Sequence, residues 1–396
     1  MFPKLITRYV IWELTKIFLI SSFAFVALML IVGIADEARD RGLGPEILVQ
    51  LIPFLLPKAL MFAMPATCLF SVCVVFGRMA ADNEMIAIKS MGLPQSVVVL
   101  PVLALAFLLS LFAVWVNDVS FAWSYWGIER VVLESSDKIL YGVLADQGSF
   151  KTDEFSIEVQ GVEDRTLIQP VITGSRGGNP FRLVAESATL TTNLDTHELV
   201  FAMNRCGFVD EGGQQVSARF DKFEQSISLK SPEEFEKQSG NPSHLYLSQI
   251  GQEIERQHAA IEDAKEIDAV RACSQMLTGD LIGLTNSDWE QRLVEQGEAT
   301  FRLRRLHVVP HRRWANGFSC LAFAMIGIPI ALRLKTANYA TTFGVCFLPI
   351  LLIYYPLFMF GLTGAKEGTL PPAAAWLGNI VCMLIGAILM YRQFKR

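Results

Sequence analysis

His307 and His311 stand four residues apart, a spacing that could present two imidazoles from one helix face as metal ligands. Pro310 between them disrupts such a helix, and no third ligand is close in sequence, so a structural or interfacial role is favoured. The run from Gly361 to Lys366 sets a lysine after a glycine, but with the wrong spacing for a phosphate-cradling loop. No His-Glu-x-x-His, Cys-x-x-Cys or Gly-x-Ser-x-Gly occurs. The chain is therefore not expected to be an enzyme: it lacks a nucleotide-binding motif of its own, calls for no cofactor and no metal, and must draw any energy from a partner. Lys58 is the only Lys or Arg well inside an apolar run. A lysine at a helix centre costs about 2.5–3.5 kcal/mol on insertion scales, which makes it a functional candidate by default. It follows Pro57, which shares a helix side with Pro53 and Pro65, so this stretch is expected to face protein or a cavity. The alternative is snorkelling, with the stem along the helix and the ammonium at the outer headgroups.

The elements that must position such residues are membrane helices. Of 396 residues 52% are hydrophobic and only 18% charged, and the mean hydropathy is +0.37. A net charge of -5 and a pI near 5.7 exclude a nucleic-acid binder, and 27 Phe with 7 Trp exclude disorder. Six runs are long enough to span: 17–34, 47–76, 97–116, 314–332, 342–362 and 373–391. The first is longer than a signal-peptide core and has no small-x-small cleavage site, so it is expected to be retained. Before it, Tyr9, Ile11 and Trp12 among basic residues read as an interfacial lead-in. One set of flanks carries Lys4, Arg8, Lys16, Arg78, Lys89, Arg333, Lys335, Arg392, Lys395 and Arg396, and the opposite short loops only Arg39, Arg41 and Lys366. The positive-inside rule then predicts cytoplasmic termini and an extracytoplasmic insert over 118–313.

The expected fold class is an α-helical membrane protein: six transmembrane helices, an extracytoplasmic all-β (jelly-roll-like) domain and a helical insertion. Its domains are 1–117 (spans one to three, with a cytoplasmic loop at 77–95), 118–230 (β domain), 231–313 (helical segment) and 314–396 (spans four to six). Within the β domain Phe155, Ile157 and Val159 alternate with polar residues, as do Leu199, Phe201 and Met203 and, more weakly, Val216, Ala218 and Phe220. Turn signals lie at 174–180, 193–196 and 211–213. The bland reading of each apolar face is a closed core. From Ser231-Pro232 a helix start is expected, and Ile250, Ile254, Ile261 and Val270 recur at helical spacing among charges to about Arg305. Cys206 and Cys273 could pair in an oxidising compartment, or stay free; the other five cysteines lie in spans as inert core residues.

The loop at 77–95 reads as a short helix stopped by Gly92 and Pro94, with Ala81, Met85 and Ile88 on a small apolar face and Arg78, Asp82, Glu84 and Lys89 around it. Such a helix suits docking into a soluble ATPase, or lies on the membrane surface. Thr7-Arg8-Tyr9 with Glu13 and Lys16, then Leu56-Pro57, Met64-Pro65, Gly77-Arg78, Glu84, Met91-Gly92-Leu93, Arg313 and Gly327-Ile328-Pro329 together resemble the lipopolysaccharide export permease family (LptF/LptG, YjgP/YjgQ-type). Three spans, an external β domain and three more spans are also that family's layout.

The resemblance implies an inner-membrane permease subunit of an ABC transporter that extracts lipopolysaccharide and passes it to a periplasmic bridge. Its implied partners are a second permease of the same family, a cytoplasmic ATPase dimer, a single-span periplasmic regulatory subunit, the bridge protein and lipopolysaccharide, with no nucleic acid. Arg78, Glu84, Met85, Ile88, Lys89 and Gly92 would couple to the ATPase. Lys58, Arg313, Phe155, Ile157, Val159, Leu199, Phe201 and Met203 would meet lipid. Where relatives often carry a basic residue at the outer end of span one, this chain has Ile31-Val32-Gly33-Ile34 with Asp36 and Glu37 beyond. Lys58 would stand in for it at a headgroup phosphate. The stretch 240–305 is longer than the family implies. A second function class is a mechanotransmitting or scaffolding permease that moves an external domain without carrying lipid.

Overall fold

Lipid offers no partner for a backbone N–H or C=O, so the apolar runs have to fold as helices. The computed structural model describes residues 2–41, 45–134, 136–151, 155–163, 166–176, 179–193, 198–209, 215–228, 242–279, 287–334 and 338–395. Among them six helical stretches are long and apolar enough to cross a membrane. These are α1 (Phe2–Arg41), α2 (Pro45–Ala81), α4 (Ser96–Glu134), α7 (Ser287–Leu334), the pair α8 (Tyr339–Pro349) and α9 (Tyr355–Glu367), joined by a π turn at Ile350–Tyr354, and α10 (Leu377–Phe394). Short α3 (Glu84–Ser90) follows α2, α5 (Ser136–Gln147) follows α4, and α6 (Leu247–Thr278) precedes α7. Among the described residues nine strands lie between α5 and α6: β1 (Ser149–Lys151), β2 (Phe155–Glu158), β3 (Gly161–Glu163), β4 (Thr166–Ile168), β5 (Val171–Arg176), β6 (Asn179–Val184), β7 (Ser187–Asn193), β8 (Glu198–Val209) and β9 (Gln215–Ser228).

The chain forms two units. The first, residues 1–30, 56–124 and 240–396, has a core in which Leu69, Val72 and Phe76 of α2 meet Val102 and Ala106 of α4, and Ala324 and Ile328 of α7. Small residues let these helices approach, as membrane packing without a strong hydrophobic drive demands. A Cβ on Gly317 would sit 2.7 Å from the backbone nitrogen of Val114, and one on Gly386 2.6 Å from the Met325 carbonyl oxygen. Polar groups inside bond across helices: Asn379 Nδ2 donates to the Ala315 carbonyl at 2.7 Å, and the Leu321 amide to Ser110 Oγ at 3.1 Å. The five cysteines of the spans are buried free thiols, as the inert-core reading expects.

The second unit, residues 31–55 and 125–239, holds one curled antiparallel sheet, jelly-roll-like, as the alternating pattern implied. Its order is β1-β2-β5-β6-β8-β7-β4-β3, with β9 on the other side of β8. Strand β8 (Glu198–Val209) pairs with β7 (Ser187–Asn193) up to Asn204 and with β6 (Asn179–Val184) from Gly207. Arg205, at φ 50, marks the bend that turns the sheet from one arm to the other. The inward ladders run Ile157–Ile172–Leu183 and Ala188–Met203–Phe223.

Three expectations shift. The β domain does not begin at 118: α4 continues to Glu134 and α5 follows, so the first strand starts at Ser149. The glycine-rich turn expected at 174–180 is strand in its described residues, with Gly174 opposite Phe181 and Arg176 opposite Asn179; residues 177 and 178 lie outside the described residues. Pro310 does not break its helix: α7 runs unbroken from the insertion into the fourth span, so 313/314 is no boundary in the backbone. His307 and His311 therefore share one side of α7, but no cluster of three potential metal ligands occurs among the described residues. The helix start expected at Ser231 lies outside the described residues; α6 begins at Leu247, buries Ile250 and Ile261, and leaves Val270 70% exposed. Cys206 is a buried and Cys273 an exposed free thiol.

Candidate functional site: an aromatic cavity and a short helix

Residues of α7 at spacings of four and three, Arg312, Asn316, Ser319 and Phe323, present one face, polar at its outer end and aromatic below. With Met61, Phe62, Pro65 and Ala66 of α2, Phe121 of α4, and Phe347, Tyr354, Tyr355, Phe358 and Met359 of the fifth span they enclose a cavity of about 280 Å³. Its wall is an aromatic stack: Tyr354 lies edge-on to Phe323 at 4.9 Å and parallel to Phe358 at 5.7 Å. The Arg312 guanidinium caps this wall 4.9 Å over the Phe121 ring. Lys58 is exposed, one helical turn outward from Phe62 on the same side of α2. An apolar slot with a guanidinium in its lining, and Lys58 one helical turn from it along α2, is suited to an amphiphile with an anionic head.

Arg313, expected to meet lipid, is fully buried and engaged within the protein. It donates Nη1 to the Asp118 carboxylate and Nη2 to the carbonyls of Ser243 at 2.8 Å and Leu245 at 2.6 Å. Asp118 also accepts the first amide of α6, Leu247 N, at 2.9 Å. Neighbouring positions on a helix point about 100° apart, so Arg313 turns into the packing while Arg312 lines the cavity, donating Nη2 to Ser243 Oγ at 3.2 Å as it does so. Sequence reading missed Arg312; the signal was there in its register with Asn316, Ser319 and Phe323.

Beside this lock, His244 ends a short 3-10 turn (Pro242–His244) among Arg305, Arg313 and Arg312. Burial and, next, those three cations push its pKa from the ordinary 6.5 down to about 4. The folded state holds the neutral imidazole, whereas the unfolded chain takes up a proton below pH 6.5. Stability is thus expected to fall as pH drops from about 6.5 toward 4 and to be independent of this group above 6.5. Thermal melts across that range should show the slope, and His244→Gln should flatten it; an unchanged slope in that variant would place the dependence elsewhere.

On the other end of the first unit, α2 passes through Asp82 and the left-handed Asn83 (φ 55) into α3. Gly92, at φ 79, closes α3 with Leu93 N bonding Ile88 O and Gly92 N bonding Lys89 O, a Schellman stop that any side chain at Gly92 would strain. Met85 and Ile88, expected to face a partner, are 6% exposed and packed into the protein's own core with Met79 and Val10. The apolar residues left outside are Ile86 at 54% and Met91 at 58%, with Lys89 exposed and Glu84 half-buried. Arg78 is committed to Glu13.

In the sheet, Ile157, Phe201 and Met203 are buried in a core closed by Leu140, Tyr141 and Leu144 of α5, with Val159 packed against it. The Leu190 amide donates to Tyr141 Oη at 2.7 Å, fixing α5 over the ladder. These three therefore line no open groove here, because a helix the β pattern did not foresee fills the concave side. Phe155 pairs with Gly174 and Leu199 with Thr192; their side chains lie outside the described residues.

No curated protein matches the chain. The family model described as "Lipopolysaccharide export system permease LptF/LptG" matches residues 8–392, nearly the whole length, and takes in the six helices, the β unit and the helix between spans two and three. The chain belongs to the lipopolysaccharide export system permease LptF/LptG family.

Proposed function

We propose that this membrane protein is the permease half of an ATP-driven lipopolysaccharide exporter, sitting in the inner membrane with both termini cytoplasmic and the β unit periplasmic. The observation that carries the reading is the aromatic cavity with Arg312 at its wall and Lys58 one turn outward. Its 280 Å³ is at the small end of ligand sites, so it takes part of a lipid while a second permease of the family completes the enclosure. Arg312 and Lys58 hold anionic headgroup oxygens, and the exposed side of α3, with Ile86, Met91, Glu84 and Lys89, docks a cytoplasmic ATPase dimer that supplies the energy. Lipid then passes to the periplasmic β unit, displacing α5 from the apolar ladder, and on to a bridge protein; a single-span subunit regulates the cycle.

Charge-assisted hydrogen bonds contribute about 1.5–3 kcal/mol, so losing one should cost about tenfold or more in lipid affinity. Lipopolysaccharide retained on the purified protein, measured by mass spectrometry, should fall by that factor in Arg312→Ala and further in Lys58→Ala/Arg312→Ala, while Lys58→Arg keeps it. Wild-type lipid content in the double variant, with ATPase binding intact, would favour the mechanotransmitting alternative.

A further inference from the structure

Glu13 uses both carboxylate oxygens: Oε1 accepts from Arg78 Nη1 at 2.8 Å, and Oε2 meets Lys16 Nζ at 2.9 Å. Arg78 Nη2 donates in addition to Tyr9 Oη at 3.1 Å, so one guanidinium holds two residues of α1. Glu84, the first residue of α3, adds a longer-range attraction to the same guanidinium. Below this charged knot, Val10 and Leu14 of α1 pack into the core that also takes Met79 of α2 and Met85 and Ile88 of α3. The inner end of α1 is thus fastened to the body that carries α3. Its membrane part is packed more lightly: Ile17 and Phe18 touch the core and Phe25 meets the Phe70 ring at 6.2 Å, but only 6% of its most apolar stretch is buried, and Ile20 and Phe23 are 73% and 81% exposed.

A helix fastened at one end by ion pairs and lightly packed along the rest follows whatever holds that end. We propose that the Glu13–Arg78–Tyr9 cluster is the joint through which a displacement of α3 is transmitted to α1, so that α1 swings as a lever when the ATPase acts. The inference rests on the proposed docking of an ATPase on α3. Arg78 is here a positioning residue that ties Glu13 and Tyr9 of α1 to the end of α2 from which α3 follows, rather than a contact of the ATPase. Partly exposed ion pairs add little to stability, so a merely structural role predicts near-silent variants. A transmission role predicts folded, ATPase-bound, uncoupled ones.

The test is a spin-label distance between positions 23 on α1 and 108 on α4, both exposed, in the complex with the ATPase dimer, with Cys273→Ser removing the exposed native thiol. In the otherwise unaltered chain a non-hydrolysable ATP analogue should shift the distance distribution. Glu13→Gln and Arg78→Met should abolish the shift with ATP hydrolysis and melting temperature retained, and Arg78→Lys, which keeps the pair with Glu13, should restore most of it. A full shift in Glu13→Gln and Arg78→Met overturns the joint while leaving the export reading intact. A chain that never binds the ATPase overturns both.

Discussion

Replacing Arg313 by alanine should destabilise the protein by about 3–5 kcal/mol, the range for removing one partner of a buried ion pair. The guanidinium is wholly enclosed, and its loss strands the Asp118 carboxylate together with the Ser243 and Leu245 carbonyls. Those groups sit where the chain enters α6, so the insertion should lose its anchor to α4 and α7 before the spans unfold. Arg313→Lys should recover only part of the loss, since a single ammonium cannot reproduce a planar fork that serves a carboxylate and two carbonyls. The measurement is the apparent melting temperature in detergent, with limited proteolysis of 240–300 as a local probe. A melting temperature equal to that of the natural chain in Arg313→Ala would mean that water or relaxation satisfies these groups and that the lock is not structural.

The second large effect is expected on the opposite end of the same unit. Ile86→Glu should weaken ATPase association by about 2 kcal/mol or more, roughly 30-fold, as truncation of an interface hot spot does, with the permease still folded. Ile88→Glu should instead unfold the region, because it drives a charge into the core shared with Val10 and Met79. Glu84→Lys should weaken association as well, and also set a second cation beside Arg78. Co-purification of the ATPase with each variant, alongside its melting temperature, separates the two classes. Equal loss of ATPase in both variants at unchanged stability would show that α3 turns its other face outward when docked.

The two experiments also mark what a linear reading can and cannot reach. The six spans, the β alternation around Ile157 and Phe201, the helix at 84–90 and its stop at Gly92 were legible, because each rests on local periodicity or on a backbone preference that neighbours do not change. Face assignments were not. Met85 and Ile88 look like an exposed apolar stripe on a seven-residue helix, and only the arrival of α1 and α2 makes them core and leaves Ile86 and Met91 outside. Arg312 and Arg313 are adjacent cations of equal promise in sequence; a turn of about 100° sends one to the cavity lining and the other into a lock whose carboxylate, Asp118, is 195 positions away. α5 carries no β signal, so its place over the ladder could not be read from the strands it covers. The sequence alone determined the segments and their chemistry, since hydrophobic period and bilayer thickness act along the chain. Tertiary structure decided which side of each segment is inside, because that depends on contacts between residues far apart in order, and a single step along a helix reverses the answer.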